Sequence, residues 1–449
     1  MGVVQFFSDK LVNLVAGMGT GRDKAAGSTY AHVVMSDEEL INAYRGAWLP
    51  RKIVDIPPLD ATRRWRAWQA DKKQIEKIEA EEIRLGVRAK VKQAMTRARL
   101  FGGAAIFIGT GDRDLSQPLN PDRIRAGGVK YLTVMSRRQL SPTELEQDPQ
   151  SDRFGLPKAY TLTGSSTTVH PSRLVVFIGA ENPEPEYATG LEFGWGDSVL
   201  QALVNAIKQS DGTMANVASL VFEAKVDVFR IPDLMSSLQG DKGYANLVLE
   251  RLRLAATGKG ISGSLVMDKD EEYESKSASF GSLPDIMDRF LQAVSGAADI
   301  PATRLLGQSP SGMSSTGESD LRNYYDRIQA MQELDLAPAI SLLDECLIRS
   351  ALGSRDAKIH YVWNPLWQPT ASERSEIAKR TAETIKVLGE TNLWAPDALS
   401  QAATTLLVEQ SVLPGLEAAV EEFGAELDEG EEEGVTETAG KPDTTENDQ

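Results

Sequence analysis

The run of helical patterns between residues 195 and 352 constrains the fold most, because segments that favour other structure interrupt it twice. The stretches "WGDSVLQALVNAIKQSDGTMANVASLVFEAK" and "LPDIMDRFLQAVSGAAD" place apolar residues at helical spacing. Between them lie two strand-like runs, "KVDVFRIP" and "SGSLVMDKDEEYESKS", and the shorter helical run "ANLVLERLRLAAT". This order predicts a small α/β insert between a first helical segment, which is one long helix or a kinked pair, and a second helix.

An uncharged loop separates the second of these helices from a third helical run. The loop, residues 308–317, consists mainly of Gly, Ser, Pro and Thr. One face of the following helix carries Leu321, Tyr324, Tyr325, Ile328 and Met331. Pro338 lacks a backbone donor and lies near the middle of this run. The sequence therefore predicts a long kinked helix over residues 318–352.

The first 180 residues alternate helical and strand patterns. Ser36 and Glu39 form a capping-box signature, so a helix is expected to begin there and to end before Pro50. Residues 71–100 predict one amphipathic helix that runs directly into the glycine-bounded strand "FGGAAIFIGTG". Further strand-like runs are "GVKYLTVMS", "KAYTLTG" and "SRLVVFIG". With a strand at "IHYVWNPLWQP" and helices at 371–389 and 395–423, the chain is predicted to be α+β.

The net charge of −17 is concentrated at the C-terminus. Residues 421–449 contain twelve Asp or Glu and one Lys, a composition typical of a disordered, solvated tail. The preceding 420 residues carry 47 basic and 53 acidic side chains. Such a balanced body lacks the clustered cations of a tight DNA binder and is not strongly repelled by DNA.

The chain is poor in the residues that build disulfides and transition-metal sites. Its single cysteine, Cys346, excludes an intrachain disulfide, and its three histidines are far apart in sequence. Cys346 stands among leucines in a helical pattern, so we expect it in the core. No uninterrupted apolar run approaches the roughly 18 residues of a membrane span. We therefore expect no cofactor, no metal and no membrane partner.

The sequence lacks the residues that a phosphate-binding loop or a nucleophile elbow requires. Gly307 and Gly312 have the spacing of a phosphate-binding loop, but Met313 stands where that loop needs a lysine, and no strand precedes it. No nucleophile-elbow motif with a preceding strand occurs. A metal-dependent hydrolase that uses scattered Asp and Glu stays open as an alternative, and it would require carboxylates clustered near a strand end.

One concentration of basic residues lies in "RLGVRAKVKQAMTRARL". Arg84, Arg88 and Lys92 are spaced to share one helical face, where they could meet phosphates or an acidic neighbouring subunit. A solvated face paired with the acidic "EKIEAEE" upstream is the alternative.

The sequence from Ile300 onward resembles the portal proteins of tailed bacteriophages, in the class that also occurs in prophages and gene-transfer particles. The resemblance rests on "IPATRLLGQSPSGMSSTGESDLRNYYDRIQAMQ", which includes the Tyr324, Tyr325, Asp326 cluster. The segments "VWNPLWQPTASERSEIAKRTAE" and "PRKIVDIPPLDATRRWRAW" are also similar to the family. The similar segments are spread across residues 48 to 390, most of the expected folded chain.

The resemblance implies a portal-protein fold divided into named parts. After a flexible N-terminus these are an α/β wing, a helical stem, a small α/β clip, a tunnel loop, a long kinked helix that returns to the wing, and a helical C-terminal crown, followed by a disordered acidic tail. The expected boundaries are 1–29 for the flexible N-terminus, 30–195 for the wing, 196–224 and 283–298 for the stem, and 225–282 for the clip. They are 299–317 for the tunnel loop, 318–370 for the kinked helix and its return to the wing, 371–423 for the crown, and 424–449 for the acidic tail.

The resemblance also implies a function that needs no enzymatic activity of this chain. Family members form a ring, dodecameric in the virion, through which double-stranded DNA is packaged and ejected. Implied partners are terminase, the major capsid protein, scaffold and head–tail adaptors, with assembly in the host cytoplasm and a final place at the capsid vertex. Another virion protein, such as an adaptor or a minor capsid protein, is the alternative from the same setting.

Two groups of residues are implied to serve the channel. The loop is expected to present to the lumen the residues Gln308, Ser309, Ser311, Gly312, Ser314, Ser315, Thr316 and Gly317. The kinked helix behind it is marked by Tyr324, Tyr325, Asp326 and Pro338. Since the loop has no charge, DNA could slide past it without being gripped.

Overall fold

A computed structural model of the chain describes residues 34–183, 193–222, 225–230, 246–250, 272–277, 281–307, 317–367, 371–391 and 395–409, with residues 243, 253, 416 and 420. The chain divides into two compact units, residues 1–366 and 367–449. Helices and small antiparallel sheets alternate along the first unit, which confirms the α+β prediction. The second unit contributes two helices that pack on each other.

The helices are α1 Asp37–Gly46, α2 Trp48–Arg63, α3 Lys72–Leu85, α4 Val87–Phe101, α5 Val204–Phe222, α6 Leu283–Ala298, α7 Ala302–Leu305, α8 Glu318–Met331, α9 Ala337–Leu352, α10 Ala371–Glu390 and α11 Pro396–Glu409. The strands are β1 Arg66–Gln69, β2 Gly103–Gly109, β3 Tyr131–Ser136, β4 Leu140–Pro142, β5 Tyr160–Leu162, β6 Thr168–Val169, β7 Leu174–Ile178, β8 Lys225–Arg230, β9 Glu272–Ser277 and β10 His360–Trp363. Short 3-10 turns occur at Pro121–Arg123 and Pro171–Arg173.

The capping box predicted at the first helix is present. The Glu39 amide donates to Ser36 Oγ at 3.3 Å, and the Ser36 amide donates to Glu39 Oε2 at 2.8 Å. The predicted end before Pro50 is correct for α1, but a second helix, α2, begins at Trp48 and continues through that proline. Pro50 is tolerated because it lies in the first turn of α2, where backbone amides have no helical acceptor.

The single helix predicted over residues 71–100 is wrong. Gly86 has a φ of 63°, the left-handed conformation that ends α3, and α4 starts at the next residue. Arg84 therefore belongs to α3, whereas Arg88 and Lys92 belong to α4. The three cations do not share one continuous helical face, because their regular spacing spans this break.

Helix α4 packs on a three-stranded sheet with the order β3–β2–β7, and β2 is buried along its whole length. The turn from α4 into β2 depends on Gly102, which has a φ of 91°. A Cβ atom there would lie 2.1 Å from the carbonyl oxygen of Gly196. The three strands predicted after β2 are present as β3, β5 and β7. Strands β3 and β7 pair with β2, whereas β5 lies in a second sheet with β4 and β6.

A two-stranded sheet joins distant parts of the first unit. Strand β1 pairs antiparallel with β10, so that Trp68 stands opposite Tyr361. The guanidinium of Arg66 lies 4.4 Å from the ring centroids of both residues. This pairing ties residues near position 66 to residues near position 361, and the sequence analysis did not foresee it.

Helices α5 and α6 pack against each other, and β8 and β9 form an antiparallel ladder between them in sequence. The helix predicted from residue 195 starts only at Val204. Before that point the chain makes turns, and residue 197 forms an isolated β-bridge with Ala180. The predicted order of helix, strand, helix, strand and helix is present in the described residues, with residues 246–250 helical between β8 and β9.

The third helical run comprises α8, a π-helical segment Gln332–Leu336, and α9. The interruption expected near Pro338 takes the form of this wider segment, and Pro338 itself lies in the first turn of α9. Cys346 is fully buried in α9, as expected. None of the helices described by the structure is long and apolar enough to cross a lipid bilayer.

Candidate functional site at the base of the uncharged loop

The uncharged loop is the strongest functional candidate from the sequence, and the structure describes its two ends. Residues 308–316 lie outside the described residues, and with them Gln308, Ser309, Ser311, Gly312, Ser314, Ser315 and Thr316. Gly317 is described, and its φ of 58° places it in the left-handed region directly before α8. The geometry of the site is therefore that of the loop's base.

Both ends of the loop are fastened to one buried carboxylate. Asp60, on α2, has no exposed surface. Arg304, before the loop, donates to it from Nε at 3.0 Å and from Nη2 at 2.9 Å. Tyr324, after the loop, donates its hydroxyl to Asp60 Oδ2 at 3.0 Å. The two chain segments that enter and leave the loop thus meet at a single side chain.

The surroundings of this junction keep Arg304 and Tyr324 protonated, so that both can donate hydrogen bonds. The hydrogen bonds to Asp60 raise the pKa of the Arg304 guanidinium above its usual value. Burial raises the pKa of the Tyr324 phenol, and the adjacent Asp60 charge raises it further, so the phenol stays protonated and can donate. A buried carboxylate is stable only when such donors replace its hydration.

Further contacts hold the two ends of the loop against α2. Before the loop, Lys52 donates from Nζ to the Leu305 carbonyl oxygen at 2.7 Å. After it, Gln332 donates from Nε2 to the Ala61 carbonyl oxygen at 2.7 Å. The Arg63 guanidinium also lies 4.4 Å from the ring centroid of Tyr325. Helix α2 therefore contacts the chain segments on both sides of the loop.

A second cation lies near this junction. Arg99, on α4, donates from Nη2 to the Ile53 carbonyl oxygen at 2.9 Å. Burial lowers the pKa of its guanidinium to about 10, Tyr324 opposes that shift, and the charge of Arg327 adds to it. Arg327 in turn forms an ion pair with Asp299, the residue that ends α6 in a left-handed conformation.

The helix residues singled out from the sequence have different surroundings. Tyr324 is part of the Asp60 junction, and Tyr325 packs on Arg63. Asp326 is on the exposed side of α8. Pro338 follows the π-helical segment. Only the two tyrosines therefore belong to the base of the loop.

Two of the three basic residues singled out from the sequence contact the chain's own backbone. Arg84 bonds Glu81 at 2.7 Å and donates to the Val129 carbonyl oxygen at 2.5 Å. Arg88 donates from Nε to the Thr62 carbonyl oxygen at 2.7 Å. Lys92 lies in an open groove beside α4. The contacts of the two arginines are structural, since they hold α3 and α4 against neighbouring segments.

Asp60 and Arg304 bring the loop ends together, and neither residue was predicted from the sequence as part of a site. Nor was the buried group predicted in which Arg66 donates from Nη1 to Asp344 at 2.6 Å and from Nη2 to Glu82 at 2.8 Å. The available signal was Asp60 between apolar residues in "VDIPPLDATR", where a carboxylate implies a partner elsewhere. Among the described residues, no three His, Cys, Asp or Glu gather as candidate metal ligands.

Comparison with known proteins decides the relationship. The model of the phage portal protein family matches residues 38–387. The chain belongs to this family. The match confirms the resemblance seen in the sequence, and it spans both sides of the loop and the whole Asp60 junction.

Two relatives are named Anti-CBASS protein Acb1. The relative from Caulobacter sp. (strain RHG1) is 41% identical over 97% of this chain and 72% of its own length. The relative from Sphingomonas paeninsulae is 40% identical over 93% of this chain and 68% of its own length. The portal-family chain thus leaves more than a quarter of each relative unmatched.

A solved structure supports the portal fold. A chain in the neck of an empty GTA particle, computed with C6 symmetry, is 14% identical and covers 90% of this chain and 99% of its own length. The TM-score of that comparison is 0.50. At this identity the likeness concerns the fold.

Proposed function

We propose that the chain is the portal subunit of a phage-type particle, and that copies of it form a ring with a central channel for double-stranded DNA. Membership of the phage portal protein family carries this proposal. The fold is that of a structural family, and its likeness to a chain of a GTA neck is consistent with a place in a virion.

In this proposal the described elements take the parts implied by the family. Helices α5 and α6 form the stem, and the strands β8 and β9 belong to the clip at one end of it. The sheets and helices before residue 195 form the wing, and the second unit forms the crown. Residues 299–317 form the tunnel loop, and the long interrupted helix behind it returns to the wing.

The Asp60 junction supports a mechanical role for the loop. A loop that contacts moving DNA experiences lateral force, so its two ends need a firm common support. Asp60 binds a residue from each end, and α2 carries further contacts to both. The loop itself has no charge between Gln308 and Gly317, which limits attraction to phosphates and suits sliding.

The energy and the contacts for packaging come from other proteins in this proposal. The chain acts as a non-enzymatic docking ring for terminase during packaging and for head–tail adaptors afterwards, while the major capsid protein and scaffold meet its wing. Assembly takes place in the host cytoplasm and the ring ends at the capsid vertex. Twelve copies would complete the ring in the virion.

The names of the two bacterial relatives suggest a second activity, directed against CBASS. We attribute that activity to the 28% and 32% of those relatives that this chain does not match. Expression of this chain alone in cells that carry CBASS should then leave that system active. Suppression of CBASS by this chain would show instead that the activity belongs to the shared part.

The direct test of the portal role is the assembly state of the purified full chain. Native mass spectrometry with negative-stain images of the same sample should show closed rings with a central channel. A compact dimer with hydrolase activity would overturn the proposal.

A further inference from the structure

The π-helical segment between α8 and α9 exposes a large apolar side chain. Ile328, Gln332 and Leu336 are buried at every fourth position, so residues halfway between them point away from the core. Leu334 is such a residue, and 75% of its surface is exposed. Monomeric surfaces tolerate single exposed leucines, but the charges around this one give it a specific character.

Carboxylates surround Leu334. Glu333 and Asp335 flank it in sequence, and both are exposed. Gln329 donates to Glu333 Oε1 at 2.9 Å and holds that carboxylate on the same helix. Burial and the charge of Glu181 raise the pKa of Asp335, so Glu181 adds a third acidic group nearby. Residues 333–335 therefore form an apolar tip within an acidic surround, called the acidic knob below.

A groove of opposite charge lies between α1, α2 and α4. It encloses about 800 Å³ and is open to solvent. Its apolar lining consists of Leu59, Ala89, Leu100 and Phe101, together with the ring of Tyr44. Leu59 is 44% exposed there.

Basic side chains dominate the charge of this groove. Lys90 and Lys92 line it, and so does Arg97, which donates to the Val134 carbonyl oxygen at 2.6 Å. Asp55 is its one carboxylate among the described lining residues, and that group accepts a hydrogen bond from Tyr44 at 2.8 Å. The two lysines therefore leave positive charge at the mouth of an apolar groove, called the basic groove below.

We propose that the acidic knob of one copy docks in the basic groove of the next copy around the ring. Leu334 would fill the apolar floor, and Glu333 and Asp335 would face Lys90 and Lys92. The knob and the groove lie on different elements of the same chain, so the contact joins two unlike surfaces. Such heterologous contacts repeat from copy to copy and close into a ring when the rotation allows it.

The complementarity rests on two independent properties. A buried apolar anchor supplies most of the affinity at such interfaces, and opposite charges at the rim orient the partners. A free anion would satisfy the lysines but not the apolar floor, whereas a purely apolar ligand would ignore the lysines. A second copy carries both chemistries in three consecutive residues. This inference rests on the proposed ring.

Charge reversal tests the contact, because misfolded variants could not form rings on mixing. One variant carries Lys90→Glu and Lys92→Glu, and the other carries Glu333→Lys and Asp335→Lys. Each variant alone should lose closed rings, because its reversed surface meets an unreversed one of the same sign. An equimolar mixture should form rings in which the two variants alternate, since every contact is then complementary. Native mass spectrometry of the separate and mixed samples reads this directly.

Two outcomes would overturn the inference. Rings from either variant alone, at the wild-type yield, would show that these charges do not contribute to assembly. Rings from neither variant and none from the mixture, with both variants as folded as the wild type by circular dichroism, would show that the two surfaces do not meet. The matched control carries Lys72→Glu and Lys73→Glu on the exposed side of α3, and it should assemble as wild type.

The apolar part of the contact has its own comparison. Leu334→Ala should raise the protein concentration needed for ring formation by roughly tenfold, the loss typical of a modest interface anchor. Ile83 on α3 has a side chain of the same size as leucine and is 81% exposed, so Ile83→Ala is the matched control and should leave that concentration unchanged. Equal effects of the two substitutions would contradict the assigned role of Leu334. If the wild-type chain forms no rings, both the proposed function and this inference are contradicted. If the wild-type chain forms rings and the variants form them equally well, only this inference is contradicted.

Discussion

Single residues determine how the loop is held, and Asp60 is the most important of them. It is fully buried, and it binds Arg304 and Tyr324 from opposite ends of the loop. Removing its charge would leave the Arg304 guanidinium without its carboxylate partner in a partly buried position.

Asp60→Asn should therefore lower the free energy of unfolding by about 3 kcal/mol, the order expected when one partner of a buried ion pair is lost. Urea unfolding of both proteins measures the difference. Glu76→Gln, on the exposed side of α3, is the control and should change the free energy by less than about 0.5 kcal/mol. A similarly small effect of Asp60→Asn would mean that the junction contributes little to the fold.

His170 provides a pH-dependent contribution to stability. Its Nδ1 accepts from the Ser172 amide at 3.2 Å, and burial lowers its pKa below the usual value of 6.5. At a pH between the lowered pKa and 6.5, the His170 imidazole is protonated in the unfolded chain but not in the folded one. Its contribution to the free energy of unfolding is therefore present above pH 6.5 and is lost as the pH falls. His170→Asn keeps an acceptor without a titrating ring, and the stability difference between the two proteins should shrink from pH 7.5 to pH 5. A constant difference would exclude this role of His170.

At the scale of elements, the sequence predicted most helices and strands but not their breaks or pairings. The periodicity of residues 71–100 continues across Gly86, so it could not reveal that a left-handed glycine ends α3. The pairing of β1 with β10 depends on contacts between residues nearly 300 positions apart, which local patterns do not encode. The Asp60 junction was hidden for the same reason, because its three residues come from positions 60, 304 and 324.

The same substitution at two glycines should have opposite effects on stability. Gly86 has a φ of 63°, so Gly86→Ala forces an alanine into the left-handed region and should destabilise the protein by about 1 kcal/mol. Gly212 lies inside α5 with nothing within 4 Å of a new Cβ, so Gly212→Ala should stabilise it by about 0.5 kcal/mol. Chemical unfolding of both variants gives the two signs. Equal signs would contradict the conformational argument.

At the scale of the whole molecule, the family could be predicted from sequence, whereas the division into wing, stem, clip and crown stays a prediction. The segments around the uncharged loop resemble portal proteins, and the family match confirmed that relationship. The surfaces that would join copies could not be foreseen. Leu334 lies in a π-helical segment and Lys92 lines a groove between helices, and only the three-dimensional structure shows these two features.

The loop should tolerate neutral residues and not positive ones. Replacing Ser309, Ser311 and Ser314 with Lys would add cations in every copy of the ring, and their attraction to phosphates should lower packaging efficiency by roughly tenfold or more. Replacing the same residues with Gln adds bulk without charge and should leave packaging close to normal. DNA content of purified particles is the measurement, and normal packaging by the lysine variant would contradict the assignment of this loop to the channel.

The assembly mass of the purified full chain tests the central claim most directly. Native mass spectrometry should show a closed oligomer whose mass is a multiple of 48.9 kDa, and negative-stain images of the same sample should show rings with a central channel. A chain that forms only a compact dimer and hydrolyses a substrate in a chelator-sensitive reaction would contradict the portal assignment.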